Sequence, residues 1–166
     1  MKVLWAPWRM VYVGGTPAPG GCLFCPAADQ DRRAALILWE SSQALVMLNK
    51  YPYASGHLLI APRAHVADPG DLARDFAALC GVLQRAVRLV REEYRPEGLN
   101  VGMNLGRSGG AGIADHLHWH VVPRWNGDTN FMTALGDVRV MPEHLLATYD
   151  RLYARRGLLE EGRTED

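Results

Sequence analysis

Three histidines alternate with apolar residues in a short run, and this run constrains the fold more than any other part of the chain. Residues 116–122 read HLHWHVV. Successive side chains of an extended strand point to opposite faces, so His116, His118 and His120 share one face and the apolar side chains share the other. The run therefore predicts a sheet with one face on a hydrophobic core and the other face available for chemistry.

Clustered imidazoles favour a functional site. Near neutral pH an imidazole accepts protons, attacks electrophiles and binds metals. A lone histidine is more often a hydrogen-bonded core residue, but strict alternation of three disfavours that interpretation. Chelation of a metal by two of the three histidines, with no nucleophile among them, is the main alternative.

The rest of the hydrophobic pattern predicts further strands and two helices. The predicted strands are residues 35–40, 44–49, 57–61, 98–104 and 117–123, and the predicted helices are residues 71–94 and 142–155. The apolar positions expected to face inward from the first helix are Leu72, Phe76, Leu79, Leu83, Val87 and Val90. Strands grouped around one main helix favour an α+β fold with an antiparallel sheet.

The length of the chain limits its domain organisation, and its net charge limits the classes of partner that it can attract. We expect an irregular arm over residues 1–21, one domain over residues 22–158 and a charged tail over residues 159–166. The 18 basic residues balance the 18 acidic ones, so no overall field attracts nucleic acid or an anionic membrane. The apolar stretches are too short to span a membrane, and the N-terminus does not resemble a secretory signal, so we expect a cytoplasmic protein.

The histidine run, followed by Pro123 and Arg124, resembles the signature of the histidine-triad (HIT) nucleotide hydrolases and transferases. Upstream, residues 48–52 (LNKYP) and 56–62 (GHLLIAP) are similar to the ribose-binding strand and the next strand of that family. The resemblance implies an antiparallel sheet of about five strands, with one long and one C-terminal helix, that pairs edge to edge in a homodimer. The loop of residues 111–115, together with residues 122–125 and 127–132, resembles the bacterial diadenosine tetraphosphate phosphorylase or hydrolase branch more than the phosphoramidase branch.

The resemblance also implies roles for single residues. His118 is the expected covalent nucleophile on an α-phosphate, while His116 and His120 bind phosphate oxygens or orient the attacking ring. The expected substrate-binding residues are Asn49 at a ribose hydroxyl, His57, Asn104 at phosphate, Gly112 in the glycine-rich loop of residues 106–112 and Trp125 against a base. On its own, each asparagine also suits a turn at a strand end, His57 a hydrogen-bonded core position, and Trp125 a packing position.

One segment departs from the family pattern. Many relatives carry Gly-Gln and then Ser or Thr just before the triad, where these residues touch the leaving group. Here residues 111–115 read AGIAD, with one extra residue between Asn104 and His116. Recognition of the leaving group is therefore expected to differ from that of the common pattern.

Two cysteines predict a second site. Cys22 and Cys25 form a C-x-x-C knuckle, which suits zinc, a redox disulfide or two reduced thiols. Some HIT relatives with such a knuckle complete a zinc site with a histidine in a Pro-x-x-His segment and with the first triad histidine, matched here by His65 and His116. A structural zinc is the favoured interpretation, and a cytoplasmic disulfide is the least favoured. Cys80, inside the predicted helix, is expected to be an inert core residue.

These observations lead to one main functional hypothesis. The chain is expected to cleave dinucleoside polyphosphates of the diadenosine tetraphosphate type through a nucleotidyl-His118 that water or phosphate resolves, with Mg²⁺ carried by the substrate. The alternative within the family is hydrolysis of adenosine phosphoramidates or aminoacyl adenylates. A metal-dependent hydrolase that uses the triad as ligands, and a nucleotide-binding or zinc-stapled protein without turnover, are the remaining classes.

Overall fold

The structure, a computed structural model, describes residues 21–73, 75–128 and 141–160. In chain order the strands are β1 Ile37–Glu40, β2 Ala44–Leu48, β3 Leu58–Pro62, β4 Gly98–Met103 and β5 Trp119–Arg124, and the helices are α1 Asp75–Tyr94 and α2 Leu145–Ala154. The strands form one antiparallel sheet in the order β1-β2-β3-β5-β4. This confirms the predicted α+β fold. The arm of residues 1–21, apart from Gly21, lies outside the described residues, as do residues 129–132 and 161–166.

The two faces of the sheet bury different clusters. In β2, Ala44, Val46 and Leu48 face the cluster that contains the helices, while Leu45 and Met47 face a second cluster around Phe24. This is the alternation that an extended strand imposes. Burying a leucine-sized side chain stabilises the fold by about 2 kcal/mol, so both faces contribute to stability. The histidines lie on the Phe24 face, because Leu117 and Val121 belong to the helix side.

Helix α1 begins later than predicted. Residues Pro69–Leu72 form a separate 3₁₀ turn, which Asp68 caps by accepting the Gly70 N–H at 2.8 Å. Ala73 then has a φ of +46°, which no helix tolerates, so the α-helix starts only at Asp75.

The buried stripe of α1 also differs from the prediction. Leu79 and Val90 are buried as expected, whereas Phe76, Leu83 and Val87 are only half-buried. The side chains that complete the buried stripe are Val82, Ala86 and Leu89. Because α1 carries apolar residues over a wide arc, the periodicity alone does not identify which of them lie at the centre of the buried face.

Two further boundaries shift for local reasons. The Leu117 N–H donates to the Val66 carbonyl at 2.6 Å instead of to a neighbouring strand, so β5 starts at Trp119. Helix α2 starts at Leu145, because the preceding His144 caps it by accepting the Leu146 N–H, and Pro142 is not in its first turn. Within the described ranges, no helix is long and apolar enough to cross a membrane.

Candidate active site and metal centre

The sheet brings His57, two of the triad histidines and both predicted asparagines to one end. In the antiparallel register His120 lies opposite Leu59, so His57, two residues before Leu59, is close to the triad. Asn49 follows β2, and its N–H donates to the His57 carbonyl at 3.0 Å. Met103, the last residue of β4, pairs with Trp119, which puts the next residue, Asn104, at the level of His118.

A chain of hydrogen bonds defines the protonation of His57 and His120. The Tyr53 N–H donates to Nδ1 of His57 at 3.1 Å, so the His57 proton is on Nε2. This Nε2–H donates to Nδ1 of His120 at 2.9 Å, which puts the His120 proton on its own Nε2. Nε2 of His120 is buried and has no hydrogen-bond partner among the described residues. It is therefore a free donor at the centre of the site.

His118 has the opposite arrangement. Its Nδ1 donates to the backbone carbonyl of His116 at 2.9 Å, which leaves the lone pair on Nε2. The ring is 4% exposed and lies 5.0 Å from the His120 ring, between centroids. A lone pair on His118 and a proton on His120 thus stand side by side.

Burial keeps both rings neutral. Desolvation lowers the pKa of His118, partly opposed by its bond to the His116 carbonyl. Desolvation, with a smaller effect from nearby His118, lowers the pKa of His120 to about 4. At neutral pH His118 is therefore uncharged, which is the form of an imidazole that accepts a proton or attacks an electrophile.

His116 faces away from this pair. Its Nε2 donates to the Pro62 carbonyl at 2.9 Å, so the lone pair is on Nδ1. That Nδ1 lies 3.3 Å from the Cys22 sulfur, 3.6 Å from the Cys25 sulfur and 3.3 Å from Nδ1 of His65. Nδ1 of His116 is thus directed to a cluster beside the site and Nε2 to the Pro62 carbonyl, so neither nitrogen is directed to the site itself.

The cluster has the donor set and the size of a zinc site. Its four ligand atoms, from Cys22, Cys25, His65 and His116, lie within 4.8 Å of one another. A tetrahedral zinc with bonds of about 2.3 Å to sulfur and about 2.0 Å to nitrogen separates its ligand atoms by about 3.3–3.8 Å. Four of the six separations, at 3.3–3.6 Å, match this geometry, and all six are within 4.8 Å. Burial raises the pKa of the Cys22 thiol, a cost that a bound cation offsets.

This cluster bears on the alternative in which the triad itself holds a metal. Among the described residues, it is the one group of three or more histidine, cysteine or carboxylate side chains close enough to share an ion, and His116 is its single triad member. His118 and His120 are outside it. No disulfide links its cysteines, which are free thiols together with Cys80 in α1.

The predicted asparagines have defined local partners. Asn49 accepts the Tyr51 N–H at 2.9 Å through Oδ1, and its Nδ2 lies 3.4 Å from Nδ1 of His57. Asn104 donates from Nδ2 to the Gly110 carbonyl at 3.2 Å and so closes the glycine-rich loop. Both therefore serve a turn, and both stand beside the histidines.

The glycines of the loop mainly shape its turns. Gly106 and Gly110 have positive φ values of 67° and 90°, and a Cβ on Gly109 would lie 2.3 Å from the Leu105 carbonyl oxygen. The predicted binding residue Gly112 is exposed, and a Cβ there meets no atom within 4 Å. Of these four glycines, Gly112 is the one that has neither a positive φ nor a neighbouring atom in the way of a side chain.

Trp125 is not brought to the histidines. It follows the other end of β5, seven residues from His118, which corresponds to about 20 Å along a strand. Its ring meets that of Tyr94 edge to face at 6.4 Å between centroids. Within one chain, its position is a packing position.

Sequence reasoning missed two aromatic residues that touch the site. Tyr53 lies 4.9 Å from the His57 ring and stacks at 6.3 Å on that of His120. Phe24 is fully buried 4.8 Å from the His118 ring. The available signals were the aromatic cluster at residues 51–53 and the apolar residue enclosed by the C-x-x-C knuckle.

Comparison with known proteins decides the family. A model of the HIT domain matches residues 31–127, more than half of the chain. The chain belongs to the HIT domain family. An AP-4-A phosphorylase from Mycobacterium tuberculosis is 38% identical to this HIT protein over 157 residues, 89% of this chain and 80% of the relative.

Two more relatives of this HIT protein bear on its chemistry. An adenosine 5'-monophosphoramidase from Schizosaccharomyces pombe is 26% identical over 134 residues, 81% of this chain and 97% of the relative. The crystal structure of a Zn-bound histidine triad family protein from Mycobacterium smegmatis superimposes with a TM-score of 0.60 at 26% identity, over 93% of this chain and 94% of the other. The expected family is confirmed, and the expected nucleotide enzyme class agrees with the names of these relatives.

Proposed function

We propose that this HIT protein cleaves dinucleoside polyphosphates of the diadenosine tetraphosphate type at an α-phosphate, with His118 as the covalent nucleophile. The observation that carries the proposal is the bond from Nδ1 of His118 to the His116 carbonyl, which leaves a lone pair on Nε2 of a buried, neutral ring. The 38% identity to an AP-4-A phosphorylase supports this substrate class.

The reaction has two displacements at the same phosphorus. In the first, Nε2 of His118 bonds to the α-phosphorus while the bond from phosphorus to the bridging oxygen breaks, and the leaving nucleotide takes that electron pair. The imidazole then carries a positive charge, which the hydrogen bond from Nδ1 to the His116 carbonyl stabilises. In the second, water or inorganic phosphate attacks, the phosphorus–nitrogen bond breaks, and the lone pair returns to His118.

His120 supplies a hydrogen bond to the reacting phosphate. Its Nε2–H is buried without a partner among the described residues and lies on the ring beside His118. A donor of this kind stabilises the charge that spreads over the phosphate oxygens in the transition state. His57 is a positioning residue, because it reaches the phosphate only through His120.

The other proposed substrate contacts come from the same end of the sheet. Asn49 is assigned to a ribose hydroxyl, and Asn104 with Gly112 to the phosphate chain, as the family resemblance implies. Tyr53, which lies beside His57 and His120, replaces Trp125 as the aromatic side chain nearest the nucleotide. Mg²⁺ is proposed to enter with the substrate phosphates and needs no ligand from the chain.

We also propose that zinc occupies the cluster of Cys22, Cys25, His65 and His116 as a structural ion. When bound, zinc cross-links the knuckle to the segment that precedes β5. Four of the six separations between these atoms match a tetrahedral site, which supports the proposal, as does the Zn-bound relative. The ligands need reduced thiols, which agrees with the proposed cytoplasmic location.

A homodimer is proposed through β4. This strand is at one edge of the sheet, and Val101 on it is 43% exposed. Among the described residues no further strand pairs with β4, and an edge strand with an apolar side chain is a template for pairing with a second copy. Size-exclusion chromatography with light scattering tests this, since a charged residue in place of Val101 should shift a dimer to monomer.

Product analysis tests the function. The protein is incubated with diadenosine tetraphosphate and Mg²⁺, with and without inorganic phosphate, beside the matched variant His118→Asn. ADP with ATP formed only in phosphate identifies a phosphorylase, and AMP with ATP identifies a hydrolase. No turnover here, together with AMP release from an adenosine phosphoramidate, would move the assignment to the alternative reaction, which the phosphoramidase relative supports.

A further inference from the structure

A loop between two cysteines carries a buried aromatic ring to the back of the proposed nucleophile. Phe24 is fully buried, and its ring centroid lies 4.8 Å from that of His118 and 5.2 Å from that of His116. The planes are tilted by 32° and 52°. Phe24 has no polar atom in its side chain, so it acts on His118 only through contact.

The contact complements the hydrogen bond that holds His118. The bond from Nδ1 to the His116 carbonyl fixes one edge of the imidazole at 2.9 Å. A single bond at one edge still permits the ring to swing about that bond, and Nε2 on the far edge then moves most. A ring packed against the imidazole at 4.8 Å blocks this swing on one side.

The same loop belongs to the cysteine cluster. The Cys25 N–H donates to the Cys22 carbonyl at 3.0 Å and closes the knuckle around Phe24. Both sulfurs converge with His65 and His116, while the neighbouring Leu23 is 44% exposed. Phe24 is thus the one residue of the knuckle that enters the core, and the cluster anchors it on both sides.

We propose that Phe24 is a positioning residue that aims Nε2 of His118, and that the flanking cysteines hold Phe24 in place. The inference rests on the proposed role of His118 as the nucleophile. It gives the knuckle a second effect besides stability, because the geometry of the attacking atom then depends on the knuckle being closed.

Steady-state kinetics of Phe24→Ala and Phe24→Leu give the first test. A small misplacement of the attacking atom slows the reaction without weakening binding, so Phe24→Ala should lower kcat by about 10- to 100-fold with KM changed by less than about threefold. Phe24→Leu fills most of the space and should lower kcat by a smaller factor, about 3- to 10-fold.

A matched control separates positioning from loss of stability. Ile37 belongs to the same buried cluster but is on β1, three strands away from β5 in the sheet order. Ile37→Ala should lower the melting temperature to a similar extent and leave kcat within about twofold of the wild type. An equal loss of kcat in Ile37→Ala would overturn the inference.

The second readout needs no turnover. In ¹⁵N-labelled, zinc-loaded protein, the imidazole proton on Nδ1 of His118 is expected to give a resolved signal, because it is buried and bonded to the His116 carbonyl. Phe24→Ala should shift or broaden that signal and leave the His57 Nε2–H signal in place. Unchanged signals with unchanged kcat overturn the inference. A wild type that turns over no nucleotide defeats the proposed function, while the signal still decides the placement of His118.

Metal analysis accompanies each variant. Equal zinc content in the wild type and Phe24→Ala assigns the effect to the ring itself. If Phe24→Ala binds less zinc than the wild type, the zinc-loaded Phe24→Leu variant is used for the test instead. A kcat and imidazole signals equal to those of the wild type in that variant would contradict the proposal.

Discussion

Nε2 of His57 donates a hydrogen bond to Nδ1 of His120 over 2.9 Å, so one buried imidazole sets the tautomer of the next. The Tyr53 N–H starts the chain, and the free Nε2–H of His120 ends it in the proposed phosphate site. The direction of the donor at the reacting centre is therefore determined by a backbone amide two side chains away.

Removal of His57 should weaken catalysis more than binding. His57→Ala deprives Nδ1 of His120 of its donor and lets the other tautomer form, so kcat should fall by about 10- to 100-fold. His57→Gln, whose amide can still donate, should recover part of the rate. Steady-state kinetics with diadenosine tetraphosphate measures both, and equal rates for Ala, Gln and the wild type would contradict the relay.

Acid should destabilise the fold through His120. Its pKa is about 4 in the folded protein against an ordinary value of 6.5, so between these pH values the unfolded chain binds a proton that the folded chain does not. Stability is thus retained above pH 6.5 and is lost as the pH falls toward 4. His120→Gln has no titrating group at this position. Between pH 6.5 and pH 4 its melting temperature should therefore fall by about 3–5 °C less than that of the wild type. The same fall in melting temperature from pH 6.5 to pH 4 in both proteins would contradict this prediction.

Much of this arrangement was predictable from the sequence, for physical reasons. Strict alternation at residues 116–122 required a strand with two different faces, and the sheet has them. Periodicity could not reveal that Leu117 bonds to Val66, and therefore that His116 and His118 precede the strand. It also could not place Phe24 or Tyr53, because those contacts join segments far apart in the sequence.

The same limit applies to Trp125. Its distance from His118 follows from its position beyond the far end of β5, which depends on how far the strand extends. Asn49 and Asn104 follow the ends of their strands, as predicted. Each makes a turn contact and also lies beside the histidines, so a role in a turn does not exclude a role in the site.

Metal removal should destabilise the protein. The zinc proposed at Cys22, Cys25, His65 and His116 would tie the knuckle to the segment before β5, so chelation should lower the melting temperature by more than about 5 °C. Cys25→Ser should lose the metal. Cys80→Ser is the matched control, since Cys80 is in α1 outside the cluster and should bind metal like the wild type. Metal analysis by mass spectrometry checks this, and equal zinc in Cys25→Ser and Cys80→Ser would exclude the assigned ligands.

Gly56, the residue before His57, should not tolerate a side chain. Its φ is +83°, and a Cβ would lie 2.8 Å from Cε2 of Tyr94, whose hydroxyl donates to Glu143 at 2.9 Å. Backbone strain and overlap together predict that Gly56→Ala lowers the free energy of unfolding by about 2–4 kcal/mol. Gly98→Ala, where a Cβ meets nothing within 4 Å, should change it by less than about 1 kcal/mol. Urea denaturation compares the two, and similar losses would refute the steric argument.

The most direct test of the central claim is to trap the nucleotidyl-enzyme. The protein is mixed with diadenosine tetraphosphate and Mg²⁺, quenched within the first turnover under conditions that preserve phosphohistidine, and examined by intact mass and peptide mapping. The account predicts one added adenylate on the wild type, located on His118, and none on His118→Asn. Full turnover by the wild type without an adduct, together with activity in His118→Asn, would contradict it.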